Sequence, residues 1–211
     1  TLKSAKPANA LIPHPQRRAP ITKNPPPPRP KAPDVPTPIS KGPDATSLSE
    51  KPATGQYPAE AVSFMSRVAR TIEATQEYKD RLNALRPPAN RTVQDAIARA
   101  VDDVVESTGA KVVVVFTATG GAARRVARTR PPVPILALTP NPHVRNQLAL
   151  VSDVLPLLAP DPKDTDDMVE IAVAKAKETG LAEVGEYVVI AAGVPFGVRG
   201  TTNMIRVERV S

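Results

Sequence analysis

The 211-residue chain contains no cysteine. That excludes disulfides, thiolate metal sites and cysteine nucleophiles, and it fits a reducing compartment. Aromatic residues make up only 3%, so a core must rest on Val, Ile, Leu and Ala. No stretch reaches the roughly 18–20 apolar residues of a membrane span. The N-terminal stretch is basic but lacks the apolar centre and small-residue cleavage site of a secretory leader. The expectation is a soluble, cytoplasmic protein with no membrane partner.

Proline, by contrast, is abundant. There are 26, and 14 of them precede Tyr57, including the run Pro25–Pro28. Proline removes a backbone donor and clashes with the preceding helical turn, and it biases the residue before it toward extended backbone. Residues 1–56 are therefore expected to be extended or disordered. The net charge of +7 is concentrated there, at Lys3, Lys6, Arg17, Arg18, Lys23, Arg29, Lys31, Lys41 and Lys51. A basic chain invites a nucleic-acid reading. No aromatic-interleaved basic stripe of the kind that stacks bases accompanies it, so no nucleic-acid partner is expected.

Beyond residue 56 the hydrophobic periodicity becomes regular. Ala61, Phe64, Met65, Val68, Ile72 and Thr75 share one face of a predicted helix over Pro58–Leu85, with Pro58 at its first position. A second helix is expected to run to about Thr108, capped by Asn90 or Thr92. Its apolar stripe is Val93, Ala96, Ile97, Ala100, Val101, Val104 and Val105, and Gly109 closes it. Lys111–Phe116 (KVVVVF) is a continuous apolar run, as in a strand buried on both faces. Further strands are read at Ile135–Thr139, Asp153–Leu158, Tyr187–Ala192 and Met204–Val210, the last alternating like an edge strand. Helices are read between them at Ala122–Thr129, Pro142–Leu150 and Asp164–Thr179. This alternation predicts an α/β fold: a three-layer sandwich around a mostly parallel sheet of about five strands.

GQYPAEAV (55–62), VVVVFTATGG (112–121) and GVRGTTNMIRV (197–207) follow one another in the chain, and in that order they resemble segments of the pyruvate kinase family. Family members leave their catalytic barrel through GxYPxEAV, and Gly55–Val62 reads GQYPAEAV. Their C-terminal α/β domain is then matched by VVVVFTATGG (112–121), PILALTPNPHVRNQLALVSDVLPLL (134–158), TDDMVEIAVAKAKETGLAEVGEYVVIAAGVP (165–195) and GVRGTTNMIRV (197–207). Upstream the likeness is weaker. Asn24, Pro25, Pro27, Arg29, Asp34, Val35, Gly42, Asp44, Ala45, Leu48, Ser49, Ala53 and Gly55 match family positions without a gap. Pro28, Pro30, Pro33, Pro36, Pro38, Pro43 and Pro52 replace Ala, Ser or Thr, and Lys51 replaces an acid. The resemblance implies three parts: a damaged barrel end over 1–56, a linking helix over 57–88, and the C-terminal α/β domain over 89–211.

The resemblance also implies a function. It is that of a pyruvate kinase fragment, from an enzyme of glycolysis that moves a phosphoryl group from phosphoenolpyruvate to ADP to give pyruvate and ATP. The part present is the allosteric and oligomerisation domain. The family's catalytic residues and its Mg2+ and K+ sites lie upstream, so no catalytic residue, metal or cofactor is expected in this chain, and it is expected to be inactive alone. The implied partners are a sugar-phosphate effector and further copies of the chain in a tetramer. A free-standing effector- or partner-binding domain and a decayed remnant are the alternatives.

Two loops are candidate effector sites. Thr117, Thr119, Gly120 and Gly121 follow a buried strand and open a helix, where backbone N–H groups favour phosphate. In the family this loop holds the effector's phosphate, but Gly121 and Ala122 stand where an arginine and a hydroxyl are expected. Arg199, Gly200 and Thr201 form the second loop. His143 reads as a surface or capping residue. Asp161, Asp164, Asp166 and Asp167 read as a helix N-terminus. Arg124, Arg125, Arg128 and Arg130 read as a solvated face or subunit contact.

Overall fold

A computed structural model describes residues 42–46, 57–85, 90–198 and 200–211. Most of the Pro-rich stretch therefore lies outside the described residues, as does Arg199. The chain divides into two units that meet in sequence at residues 86 and 87.

The first unit carries α1 (Pro58–Glu73) and α2 (Gln76–Leu85). Pro58 occupies the start of α1, where its missing N–H costs nothing, and Ala61 and Met65 form its buried face. The single helix expected over Pro58–Leu85 is thus two. Thr75 explains the break. Its hydroxyl donates to the Ile72 carbonyl at 2.6 Å and accepts the Tyr78 N–H at 3.3 Å. One side chain thereby closes the first helix and caps the second, offering the backbone an alternative to the continuous helical ladder.

The second unit runs α3 (Val93–Thr108), β1 (Val112–Phe116), α4 (Gly121–Thr129), β2 (Ile135–Thr139), α5 (Pro142–Leu148), β3 (Val154–Leu158), α6 (Thr165–Glu178), β4 (Tyr187–Gly193) and β5 (Thr202–Arg209). The five strands form one sheet in the order β3-β2-β1-β4-β5. The first four are parallel, and β5 returns antiparallel to β4. Helix crossovers carry the chain between the parallel strands; β5 needs only the loop after β4.

Both faces of the sheet are covered, as the apolar runs predict. Val113, Val115, Ile135, Ala137, Val189 and Ala191 pack beneath α3, α4 and α5. The alternate residues Val112, Val114, Leu136, Leu138, Val188 and Ile190 pack against Met168, Ala172 and Ala176 of α6. Period-two alternation sends each strand's residues to opposite layers, so every position of β1 and β2 is buried.

Polar caps set where the helices begin. Thr92 Oγ1 accepts the Asp95 N–H at 3.2 Å. Asn141 Oδ1 accepts from His143 and Val144, and Asp164 Oδ1 accepts from Asp166 and Asp167 at 3.0 and 2.9 Å. Gly109 ends α3 in the left-handed region with φ 67°. Asp164→Ala should lower stability by about 0.5–2 kcal/mol, and Leu136→Ala by about 2–5 kcal/mol because it empties a fully enclosed site. Urea unfolding of both variants should rank them in that order; equal midpoints would contradict the assigned core.

Candidate functional site

After β1 the chain builds outward through β2 and β3, then crosses back to lay β4 on the other side of β1. The loops leaving β1 and β4 therefore diverge, and a crevice opens between them at the carboxyl ends of the strands. In open α/β sheets this switch point is where ligands bind. Here it forms an open hollow lined by Thr117, Thr119 and Gly121 from one loop and Gly197, Gly200 and Thr201 from the other. The two candidate loops of the sequence thus line one hollow.

The first loop is held by its own threonine. Thr117 is buried, and its Oγ1 accepts the Gly120 N–H at 2.9 Å. That amide is already engaged, and Gly120 does not line the hollow. Its contribution is backbone shape: φ is 80°, and a Cβ there would lie 2.6 Å from Arg124 Nη1. Thr119 is exposed beside the hollow. Gly121 and Ala122 line it as the first residues of α4, where N–H groups have no intrahelical acceptor.

The second loop is closed by Asn203. Its Oδ1 accepts the Val194 N–H at 2.9 Å, and its Nδ2 donates to the Val194 carbonyl at 2.7 Å. Thr201 Oγ1 donates to the Val198 carbonyl at 2.8 Å. Gly200 is tied to α3 by Gln94 Nε2, which donates to its carbonyl at 2.9 Å. Gly193 begins this loop at a bulge in the β4–β5 pairing. A Cβ on Gly193 would lie 2.5 Å from Thr201 Oγ1 and 2.9 Å from its backbone carbon.

The arginines of α4 depart from the expected solvated face. Arg125, one turn after Gly121, lines the hollow. Its Nε lies 3.5 Å from Asp95 Oδ1, and Arg128 Nη2 lies 3.4 Å from Asp95 Oδ2. Arg124 donates to the Thr119 carbonyl and to Gln147, and Arg130 pairs with Asp153 at 3.6 Å. Asp95 is 4% exposed and also accepts the Asn90 N–H at 3.1 Å. A carboxylate so enclosed requires charged partners, and α4 supplies two.

This pairing changes the face that α3 buries. Asp95, Ala98, Val101, Asp102 and Val105 are inside, while Val93 from the expected stripe is 60% exposed. Asp161 also departs from expectation. Asp164 is the cap of α6, and Asp161, three residues earlier, lines the hollow. His143 is exposed near its helix start, as read, with its ring Nε2 3.0 Å from Gln147 Nε2.

Sequence reasoning missed Arg125, Asp95 and Asp161 as members of this site. The signal for Arg125 was its four-residue spacing from Gly121, which places both on one helix face. Nothing in the local pattern marks Asp95, because Thr92-x-x-Asp95 reads as an ordinary helix start. The hollow offers hydroxyls, amides, one guanidinium and the Asp161 carboxylate among its described residues, a set that can hold an anion at the Arg125 side and hydroxyl groups at the Asp161 side. Among the described residues no three His, Asp or Glu side chains come together to hold a metal, and no helix is long and apolar enough to cross a membrane.

Five strands in this order, helices on both faces and a polar crevice at the switch point define an open, doubly wound α/β domain. Residues 95–208 match the family model described as the pyruvate kinase alpha/beta domain, and the chain belongs to the pyruvate kinase family. It is 40% identical over 186 residues to a pyruvate kinase of Agrobacterium vitis, covering 88% of this chain and 39% of that one. It is 39% identical over 191 residues to one from Geobacillus stearothermophilus, covering 90% of this chain and 32% of the other. A crystal structure of a pyruvate kinase from Cryptosporidium parvum superposes with a TM-score of 0.85 at 27% identity, covering 97% of this chain and 40% of that chain. This chain thus spans less than half the length of these relatives.

Gly193→Ala should displace the Thr201 backbone and cost about 1–3 kcal/mol. Thermal melts check the loss of stability. A variant as stable as the parent would show that the Thr201 backbone is not held tightly against the end of β4.

Proposed function

We propose that the chain serves a pyruvate kinase as its regulatory and oligomerisation domain, binding a sugar-phosphate effector in the hollow. The reaction of the whole enzyme is phosphoryl transfer from phosphoenolpyruvate to ADP, giving pyruvate and ATP in glycolysis. The observation that carries the effector reading is the convergence of Thr117, Thr119 and Gly121 with Gly197, Gly200 and Thr201 on one hollow. In it, the amides at the start of α4 face the same space as Arg125. Partial charges at a helix start and a nearby guanidinium both favour phosphate over a neutral ligand.

The residues divide the work. Gly121 and Ala122 offer backbone N–H donors, Thr119 offers a hydroxyl, and Arg125 offers charge, while the Thr201 hydroxyl is given to the Val198 carbonyl. Thr117 shapes the loop from beneath, having committed its oxygen to Gly120. Mg2+ and K+ would serve the phosphoryl transfer of the whole enzyme. Among the described residues no three His, Asp or Glu side chains come together, and no catalytic step is assigned to either ion.

Self-association is supported by the ends of the sheet. Among the described residues β5 pairs with β4 alone, leaving its outer edge with unpaired backbone groups, the kind of edge a second chain can join. Val207 on that strand is 37% exposed. A tetramer of the whole enzyme is the assembly proposed.

Two measurements test this reading. The purified chain should form no pyruvate from phosphoenolpyruvate and ADP with magnesium and potassium; measurable turnover would overturn its assignment as a non-catalytic part. Fructose phosphates should raise its melting temperature saturably. Thr119→Ala should weaken that binding by about two- to tenfold, the worth of one neutral hydrogen bond. Unchanged affinity would remove the Thr119 hydroxyl from the site.

A further inference from the structure

An anion site needs a charge that stays in place while the site is empty. Arg125 has that property. Its Nε forms an ion pair with Asp95 Oδ1 at 3.5 Å, and Asp95 is itself buried, bonded to the Asn90 N–H and paired with Arg128. A guanidinium carries five N–H donors in a rigid fork. With Nε turned to Asp95, Nη1 lies 3.5 Å from the point where a Cβ on Gly121 would stand. The charge therefore sits over the first residue of α4, within the hollow that Gly121 lines. Asp161 supplies the hollow with a carboxylate, an acceptor suited to hydroxyl groups.

We infer that Arg125 is the cation that engages a phosphate monoester of a polyhydroxylated compound in this hollow, and that buried Asp95 is the positioning residue that holds it there. The inference rests on the effector reading above and names the group responsible. It also gives occupancy a route out of the site. Gln94 and Asp95 are neighbours on the first turn of α3. Gln94 holds Gly200 of one loop, and Asp95 holds Arg125 beside the other. A phosphate on the Nη side of Arg125 leaves its Nε paired with Asp95, which also holds Arg128 and the Asn90 N–H, and so adds a fixed point to that network. Filling the hollow thus tightens the start of α3.

The test uses the 211-residue chain with fructose 6-phosphate as probe and fructose as the control without phosphate. Calorimetry gives affinity, and amide exchange over residues 90–95 gives the readout at α3. Saturable binding of fructose 6-phosphate, and none of fructose, is expected. Arg125→Gln should weaken binding by about 10- to 100-fold, as for a lost charge-assisted hydrogen bond, and Arg125→Lys by less. Exchange of the Asn90 amide should slow on adding the probe to the parent chain and stay unchanged in Arg125→Gln. If Arg125→Gln does not fold, Arg125→Lys carries the comparison, with an expected loss of about threefold or more because a lysine cannot span Asp95 and phosphate together.

Saturable binding that both variants retain within about twofold, less than any loss of a charge-assisted bond, would overturn the role of Arg125 and leave the hollow's assignment standing. No saturable binding by the parent chain would overturn both. Weakened binding with no probe-dependent change at Asn90 would overturn the part given to Asp95.

Discussion

Three strands enclosed on both faces leave little place for a polar group along their length. β1 and β2 are buried at every position, and so is β4 from Val188 to Ala192. Chemistry can therefore appear only where those strands end. The order β3-β2-β1-β4-β5 brings the ends of β1 and β4 side by side, and the chain leaves them in different directions. The hollow is a consequence of that topology before it is a consequence of any one side chain.

Beside the hollow, the Asp95 carboxylate is admitted into this apolar frame, as Asp102 is two turns further along α3. Burial of an unpaired carboxylate would be costly, and the two arginines of α4 together with the Asn90 amide offset that cost. The pairing fixes α3 against α4 by a directional contact that the surrounding valines and alanines cannot supply. It also means that α4 cannot rotate without exposing Asp95, so the residues at its N-terminus keep their aim into the hollow. Loop position and helix pairing are thereby parts of one constraint.

Most of the fold was legible because apolar periodicity is a local signal. KVVVVF and YVVIAA announce enclosed strands, and the helix starts read at Pro142 and Asp164 lie within a residue of those observed. The break at Thr75 was not legible, since Phe64, Met65, Val68 and Ile72 continue a helical period right up to it and a threonine's choice of hydrogen bonds is decided by geometry. The buried face of α3 was misread for a related reason. Hydropathy assigns Asp95 to solvent, and only partners some 30 residues away bring it inside. The two loops could be named from the sequence, but their convergence on one hollow depends on the crossover that places β4 beside β1.

The glycines of the site show how its shape and its charge are linked. Gly120 is required by its backbone, with φ at 80°, and Gly193 by space, since a Cβ there meets the Thr201 backbone. Gly121 is different. A Cβ there would find only ordinary contacts, 3.5 Å from Arg125 Nη1 and 3.6 Å from Thr119 Oγ1, so the backbone does not demand glycine. A longer cationic side chain starting from residue 121 would instead begin beside the guanidinium of Arg125, setting two like charges in one small space. An arginine at 121, as the family resemblance leads one to expect, and Arg125 in its present place are therefore competing ways to charge the same hollow. With glycine at 121 that space is left to Arg125, which reaches it from one turn further along α4 and is held by a carboxylate that a side chain at 121 would have no means to share.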